Sequence, residues 1–398
     1  MSNKKITKQQ KWIVTFKKKF NPKNHKWSDN FVIDNIHDHV HHGMSCTATE
    51  DCLKNPELKN IIKSYVPDTT VRIQALAERK KLTQADLTIL AAQPIGPFIN
   101  RVGANHSSQL SGNGTGSLAA RTDINVFVVD TGIAVHSDLN IVGGRNFTTS
   151  DPNTWTDGNG HGTHVAGIIG AQDNAYGIVG AAPGVRLWAI KVLNSSGSGT
   201  ISTIITGLNW ILANRGIKWT GRGIVNLSLG GGISPVLDSA VNTLINNGIV
   251  VCVAAGNRGI NAANASPARV ANSITVGATG PISSYNTLAS FSNYGPVVDI
   301  LAPGTNIYST YLNNGYATLS GTSMSCPVVS GISALVINAY PLSGDNTIAF
   351  PTNVRSIIVN NSAATTVLNK DKTIGSNPRI SVPAYKQTTN ISVWAGVY

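Results

Sequence analysis

The sequence predicts an α/β protein with a mostly parallel central sheet and helices on both faces. Three observations carry this. From about residue 92 onward, short β-branched apolar runs alternate with helix-like stretches. Those runs are apolar at nearly every position, which suits strands covered on both faces. Glycine is abundant (39 residues) and charge is sparse (13%), a composition suited to a large core with many tight turns and not to a coiled coil or a disordered chain.

Taken in order, WIVTF (12–16) reads as a short strand and VRIQALAERKKL (71–82) as a helical stretch. INVFVVD (124–130) reads as a strand ending in a carboxylate, and HGTHVAGIIGA (161–171) as a helix. VRLWAIKVL (185–193) is strand-like and TISTIITGLNWILAN (200–214) helix-like. GIVNLSL (223–229) is a strand, VLDSAVNTLINNG (236–248) a helix closed by glycine, and IVVCVAA (249–255) a further strand. SMSCPVVSGISALVINA (323–339) is helical. No internal repeat is visible.

Residues 1–91 differ in character, being rich in Lys and His and poor in Gly. They carry a net charge of +7 of the chain's +12, and nine lysines fall within the first 27 residues. No aromatic-interleaved basic motif accompanies them, so a solvated basic segment is expected and no nucleic-acid partner. No apolar run approaches the ~20 residues that span a bilayer, so no membrane partner is expected. The start MSNKKITKQQKWIV lacks the apolar core of a secretory signal. The compartment stays open: cytoplasmic, particle-packaged or exported by another route. Cys46, Cys52, Cys252 and Cys326 do not form a dense disulfide framework, although the first two could bridge. HDHVHHGMSC (37–46) reads as a surface histidine cluster, and no metal is assigned to it.

Chemistry gathers where strands end. Asp130 closes INVFVV, a placement that packing explains poorly. GNGHGTHVAG (158–167) offers His161 and His164 without the acidic neighbour of a zinc-peptidase helix, so His161 is read as orienting toward a reacting group and His164 as a packed neighbour. Ser323 opens a helix, where free N–H groups and the helix dipole favour negative charge. Pro327 suits a first turn, and Ser320 and Ser325 are read as turn and helix-surface residues. A serine needs a base and the base an orienting acid. Asp130, His161 and Ser323 could supply all three. Asn257, just past a strand in VAAGN, could hold a developing oxyanion.

VVDTG, GHGTHVAG, AAGN and SGTSMSCP, in this order, together resemble the subtilisin-like serine proteases, the subtilases. SFSNYGPVVDILAPGTNIYST (290–310) most resembles their proteinase K branch. The resemblance implies a subtilisin-like three-layer fold over 92–382, a small α+β propeptide-like domain over 1–91, and a C-terminal tail over 383–398. It implies Asp130 as acid, His161 as base and Ser323 as nucleophile, with Asn257 and the Ser323 N–H as the oxyanion hole. Gly197, Ser198 and Gly199 match one edge of a substrate groove, and Ser228, Leu229 and Gly230 the other. A peptide would add between them as a strand. Ala254, Ala255 and Gly256 match one wall of the specificity pocket, with Arg258 at its rim, where it is expected to disfavour a basic P1 residue and to tolerate apolar or acidic ones.

The resemblance also implies structural calcium. Asn174 would be a side-chain ligand, Gln172, Tyr176 and Ile178 would offer carbonyls, and Asp138 and Gln93 match the remaining ligands. Asp299 matches a second calcium position of some members. The N-terminal segment is expected to act as an intramolecular inhibitor, with 34–60 as an insertion and processing near Ala91–Ala92, because AAQPIGPF resembles a mature start. The expected protein is thus a monomeric serine endopeptidase for protein or peptide substrates, made as a zymogen. The alternative is a catalytically silent or permanently self-inhibited peptide-binding pseudoprotease.

Overall fold

The structure, a computed structural model, describes residues 8–17, 20–82, 93, 98–99, 104, 114, 116–281, 287–340 and 346–360. Gln10–Phe16 (β1), Val32–His37 (β2), Gly43–Ala48 (β3) and Ile62–Pro67 (β4) form an antiparallel sheet in the order β2-β3-β1-β4. The short helix Glu50–Leu53 (α1) joins β3 to β4. The alternation along β1 explains how this unit sits. Trp12, Val14 and Phe16 face its own core with Met44 and Cys46, while Ile13, on the opposite face, belongs to the core of the larger domain. The stretch 34–60, expected as an insertion, supplies most of β2, all of β3 and α1, and so is part of this sheet.

Residues 71–82 are not helical. Thr70–Ile73 (β5) and Leu76–Leu82 (β6) are two strands, each completing a sheet whose other members come from the larger domain. Helix propensity in ALAERKKL is overridden because distant strand edges offer the backbone its partners.

The larger domain is built on seven parallel strands. They are Ile124–Asp130 (β7), Ile141–Asn146 (β8), Arg186–Lys191 (β9), Arg222–Leu227 (β11), Val250–Ala254 (β13), Ile274–Thr279 (β14) and Ile300–Pro303 (β15). Their order is β15-β14-β13-β11-β7-β9-β8. Ser198–Thr200 (β10) and Leu229–Gly230 (β12) are short edges beside the site, and Ile307–Tyr311 (β16) with Gly315–Ser320 (β17) forms a hairpin. The helices are His161–Gly170 (α2), Ile201–Ala213 (α3), Pro235–Asn246 (α4), Thr322–Ala339 (α5) and Ala349–Asn360 (α6).

The near-continuous apolar strands are buried on both faces. On β7, Val126 and Val128 pack in one cluster with residues of α2, α5 and α6, while Phe127 and Val129 pack in the other with α3 and α4. This is the three-layer α/β architecture. Helix α5 is long and apolar enough to pass for a membrane span, yet 89% of it is buried inside the fold as a core helix.

Candidate active site

The site lies at the carboxyl ends of the parallel strands, where the sheet lets loops converge. Asp130 ends β7 and is fully buried. Its Oδ1 accepts the Thr131 N–H at 2.7 Å and stands 2.8 Å from His161 Nδ1, with Oδ2 at 3.0 Å. This fixes the imidazole with Nδ1–H toward the carboxylate and Nε2 free to act as a base. His161 is the first residue of α2, and the turn before it is held by Asp157. That carboxylate accepts from the N–H groups of Asn159, Gly160 and Thr163 and from the Thr163 hydroxyl. Gly162 is required because a Cβ there would meet the Gly132 carbonyl at 2.1 Å. The close approach of α2 to the β7 loop is what brings Asp130 and His161 together.

Ser323 is the second residue of α5 and is fully buried. Its N–H donates to the carbonyl oxygen of Gln74 at 3.1 Å, and Asn257 Nδ2 donates to the same oxygen at 2.5 Å. Asn257 is aimed by its own Oδ1, which accepts the Thr322 N–H at 2.9 Å and the Thr322 hydroxyl at 2.8 Å. Two donors, one of them at a helix N-terminus, converge on one carbonyl oxygen of the chain itself, the arrangement that an oxyanion hole requires. The Ser323 hydroxyl donates to the Ser228 carbonyl at 2.9 Å, and His161 Nε2 has no hydrogen-bond partner. Ser323 Oγ and His161 Nε2 are therefore not hydrogen-bonded to each other here. Pro327 lies in the second turn of α5, not the first. Lacking an N–H, it leaves the Ser323 carbonyl free, and the Ser228 hydroxyl takes it at 2.9 Å.

The groove is filled by residues 70–75. Strand β5 runs antiparallel to both β10 and β12, with Arg72 opposite Ser198 on one side and Gly230 on the other. Gly197 and Ser228 add main-chain acceptors, for the N–H groups of Ile73 (3.0 Å) and Gln74 (3.2 Å). Ala254, Ala255, Gly256 and an exposed Arg258 line a pocket beside Gln74, together with Ala265 and Ala268. Residues 1–91 thus reach the site through positions 70–75. Ala91 and Ala92 lie outside the described residues, as does the tail from 383.

The six expected calcium ligands converge. Gln93 Nε2 donates to the carbonyls of Gln172 (2.8 Å), Tyr176 (2.8 Å) and Ile178 (2.7 Å). Asn174 bonds Gln93 Oε1 through its N–H and Asp138 Oδ1 through its amide. Three carbonyls aimed at one point, beside a buried carboxylate and two amides, suit a hard cation with oxygen ligands. The Gln93 N–H group occupies that point, and turning the amide over would present Oε1 instead. Burial pushes the Asp138 carboxyl up to about 6. Asp299, the second expected position, is tied instead to Arg355 and to the Thr275 N–H at 2.8 Å.

Other residues fall outside the chemistry. His164 Nε2 lies 3.0 Å from the carbonyls of Ile307 and Ala317, and burial pushes its pKa down to about 3. Ser325 is buried, not on the helix surface, and donates to the Ala302 carbonyl. Ser320 is buried at the end of β17, where it accepts the Asn306 N–H. Cys252 and Cys326 are buried thiols raised by burial, and Cys46 and Cys52 are not bridged. Among the described residues no cluster of three His, Cys, Asp or Glu could hold a metal. His37 and His41, expected at a surface, are buried.

Sequence reasoning missed Gln74, Thr322 and Asp157. It also missed Asp68, whose carboxylate accepts the Ser202 N–H (3.0 Å) and hydroxyl (2.6 Å) at the start of α3. The alternation Thr70, Val71, Arg72, Ile73 was a strand signal that could have located β5.

Residues 121–378 match the model of the subtilase family, peptidase S8. The chain is 45% identical over 260 residues to the M-protease of Shouchella clausii, covering 65% of this chain and 63% of that protein. The chain thus spans just under two thirds of that relative's length. It is 46% identical over 253 residues to subtilisin Savinase of Lederbergia lenta, covering 63% of this chain and 87% of that protein. In structure it is similar to a cold adapted subtilisin-like serine proteinase, with a TM-score of 0.60 and 34% identity over 72% of this chain and 98% of the other. These relatives do not bear on the closer likeness to proteinase K. The chain belongs to the subtilase family, the S8 family of serine endopeptidases.

Proposed function

We propose that the protein hydrolyses peptide bonds through Asp130, His161 and Ser323 and is made as a zymogen whose N-terminal segment fills its own groove. The observation that carries this is the Gln74 carbonyl, held by the Ser323 N–H and the Asn257 amide beside the Asp130–His161 couple. In the reaction, Ser323 Oγ leaves the Ser228 carbonyl by rotation about its Cα–Cβ bond and gives its proton to His161 Nε2 as it attacks the substrate carbonyl. The oxyanion takes the two donors that Gln74 uses here. His161 returns the proton to the leaving amine, and water then releases the acyl group from Ser323. Asp130 holds the imidazole and stabilises its cation.

Protein and peptide substrates would enter as Thr70–Gln74 does, between β10 and β12, with Arg258 at the pocket rim disfavouring a basic P1 side chain. Calcium would be held by Gln93, Asp138, Gln172, Asn174, Tyr176 and Ile178, and would tie the 172–178 loop to the segment carrying Gln93. Casein hydrolysis by the wild-type chain, abolished in Ser323→Ala, is the test. A wild-type chain freed of residues 1–74 that leaves casein intact would favour the silent peptide-binding alternative.

A further inference from the structure

The geometry points to Gln74–Ala75 as the peptide bond this enzyme cuts in its own chain, through a pocket that accepts glutamine at P1. This rests on the serine endopeptidase reading above. The register allows one bond only. Gln74 is the residue whose carbonyl oxygen takes both Ser323 N–H and Asn257 Nδ2, and its own N–H is fixed by the Ser228 carbonyl at 3.2 Å. A side chain at Gly321 would stand 2.4 Å from that carbonyl oxygen and 3.0 Å from Ala75 Cα, so the space there is kept for this backbone.

The side chain of Gln74 is recognised as an amide. Its Nε2 donates to the carbonyls of Gly230 at 3.1 Å and Arg72 at 3.2 Å. The pocket walls contributed by Ala254, Ala255, Ala265 and Ala268 bring no charge, and Arg258 is exposed at the rim, where solvent screens its attraction for an anion. A glutamate in this place would lose the donor and set an anion against two carbonyl oxygens. A site built to hydrogen-bond an N–H rejects an isostere that lacks it.

Beyond the bond the chain pairs again. Strand β6 runs antiparallel to β17, from Leu76 opposite Ser320 to Leu82 opposite Tyr316. The bond is thus held by strand pairing on both sides. Cleavage follows from Ser323 attack on the Gln74 carbonyl carbon, with the proton passing through His161 to the Ala75 nitrogen as the C–N bond breaks. Water then frees the Gln74 carboxylate. The new amino terminus is Ala75, carried on a strand already paired to the hairpin that leads into α5. This lies well ahead of Gln93 and of the junction expected near Ala91–Ala92.

The test is a time course of the full-length chain, read by intact mass and amino-terminal sequencing, for wild type, Ser323→Ala and Gln74→Glu, with casein hydrolysis followed in parallel. An early fragment starting at Ala75 is expected in wild type. It should be absent in Ser323→Ala and formed about 10- to 100-fold more slowly in Gln74→Glu. Because wild type alone reports the bond, poor folding of a variant does not obscure the result. Active wild type that never shows an Ala75 terminus overturns this assignment and leaves the endopeptidase reading standing. An Ala75 terminus that also appears in Ser323→Ala shows a foreign protease and overturns it too. Wild type with neither casein hydrolysis nor any cleavage overturns both.

Discussion

Asn257 stands in the site as an acceptor and a donor at once. Its Oδ1 is spent on Thr322, which leaves Nδ2 aimed at the carbonyl oxygen in the groove. Asn257→Ala should therefore lower kcat by about 10²–10³-fold, the size of loss known when subtilisin loses one such donor, with KM for a short peptide changing little. A steady-state comparison of the two parameters checks this, and a rise in KM at unchanged kcat would contradict it. Asp130→Asn would leave a buried partner for Nδ1 but stabilise the wrong tautomer. A drop of about 10⁴-fold in kcat is expected from titrated activity. These residues were legible because each sits in a short contiguous motif. Gln74 was not, because its role is set by Ser228, Asn257 and Ser323, all more than 150 positions away. Pro327 was misplaced by one turn for a related reason: the carbonyl it frees is claimed by Ser228, which local helix rules cannot show.

At the level of elements, the N-terminal unit meets the catalytic domain largely through α3. Asp68 caps its first turn, and the Thr69 carbonyl accepts the Ile201 N–H. Asn209 accepts from the N–H groups of His39 and Val40. Losing a cap costs roughly 0.5–2 kcal/mol. Asp68→Ala should therefore shorten the lag before activity appears by several-fold in an activation time course, and an unchanged lag would show that this contact does not govern release.

The same face buries His37, and His41 lies beside it within the N-terminal unit. His37 Nε2 lies 3.1 Å from Thr206 Oγ1, and His41 Nε2 lies 3.3 Å from the Val14 carbonyl. Burial, aided by the neighbouring His41, holds His37 down to about 3 against a smaller opposing effect of Asp38. Burial likewise brings His41 down to about 4, opposed by the Val14 carbonyl and aided by His42. A lowered histidine pKa means that the docked form binds fewer protons than the released form. Docking is thus at full strength above the ordinary value near 6.5 and weakens as pH falls from there toward about 3, by up to about tenfold per unit through His37. Release at pH 5 should be faster than at pH 8 when samples are withdrawn and assayed at one common pH. His37→Asn should flatten that dependence, and faster release at pH 8 would contradict the account. The elements themselves were mostly readable, since strands apolar at every position and helices with small-residue faces announce themselves. Strands β5 and β6 were not, because their partners β10, β12 and β17 lie far along the chain and the helix-favouring residues of β6 drew the β-branched Thr70–Ile73 into the same reading.

For the whole molecule, the segment at 172–178, Asp138 and Gln93 come from distant parts of the chain and share one focus of oxygen atoms. A cation bound only by the folded form stabilises it by mass action. Removing calcium with EDTA should lower the Tm of the processed enzyme by several degrees, restored by added calcium, as a thermal melt would show. An unmoved Tm would leave the Gln93 amide as the natural occupant. The central claim is an activated Ser323, and it is tested most directly by peptide-level mass spectrometry of the processed protein after treatment with a fluorophosphonate probe. The account predicts an adduct on Ser323 in wild type and none in His161→Ala. A processed, calcium-loaded wild-type protein without that adduct, or an equal adduct in both proteins, would contradict it.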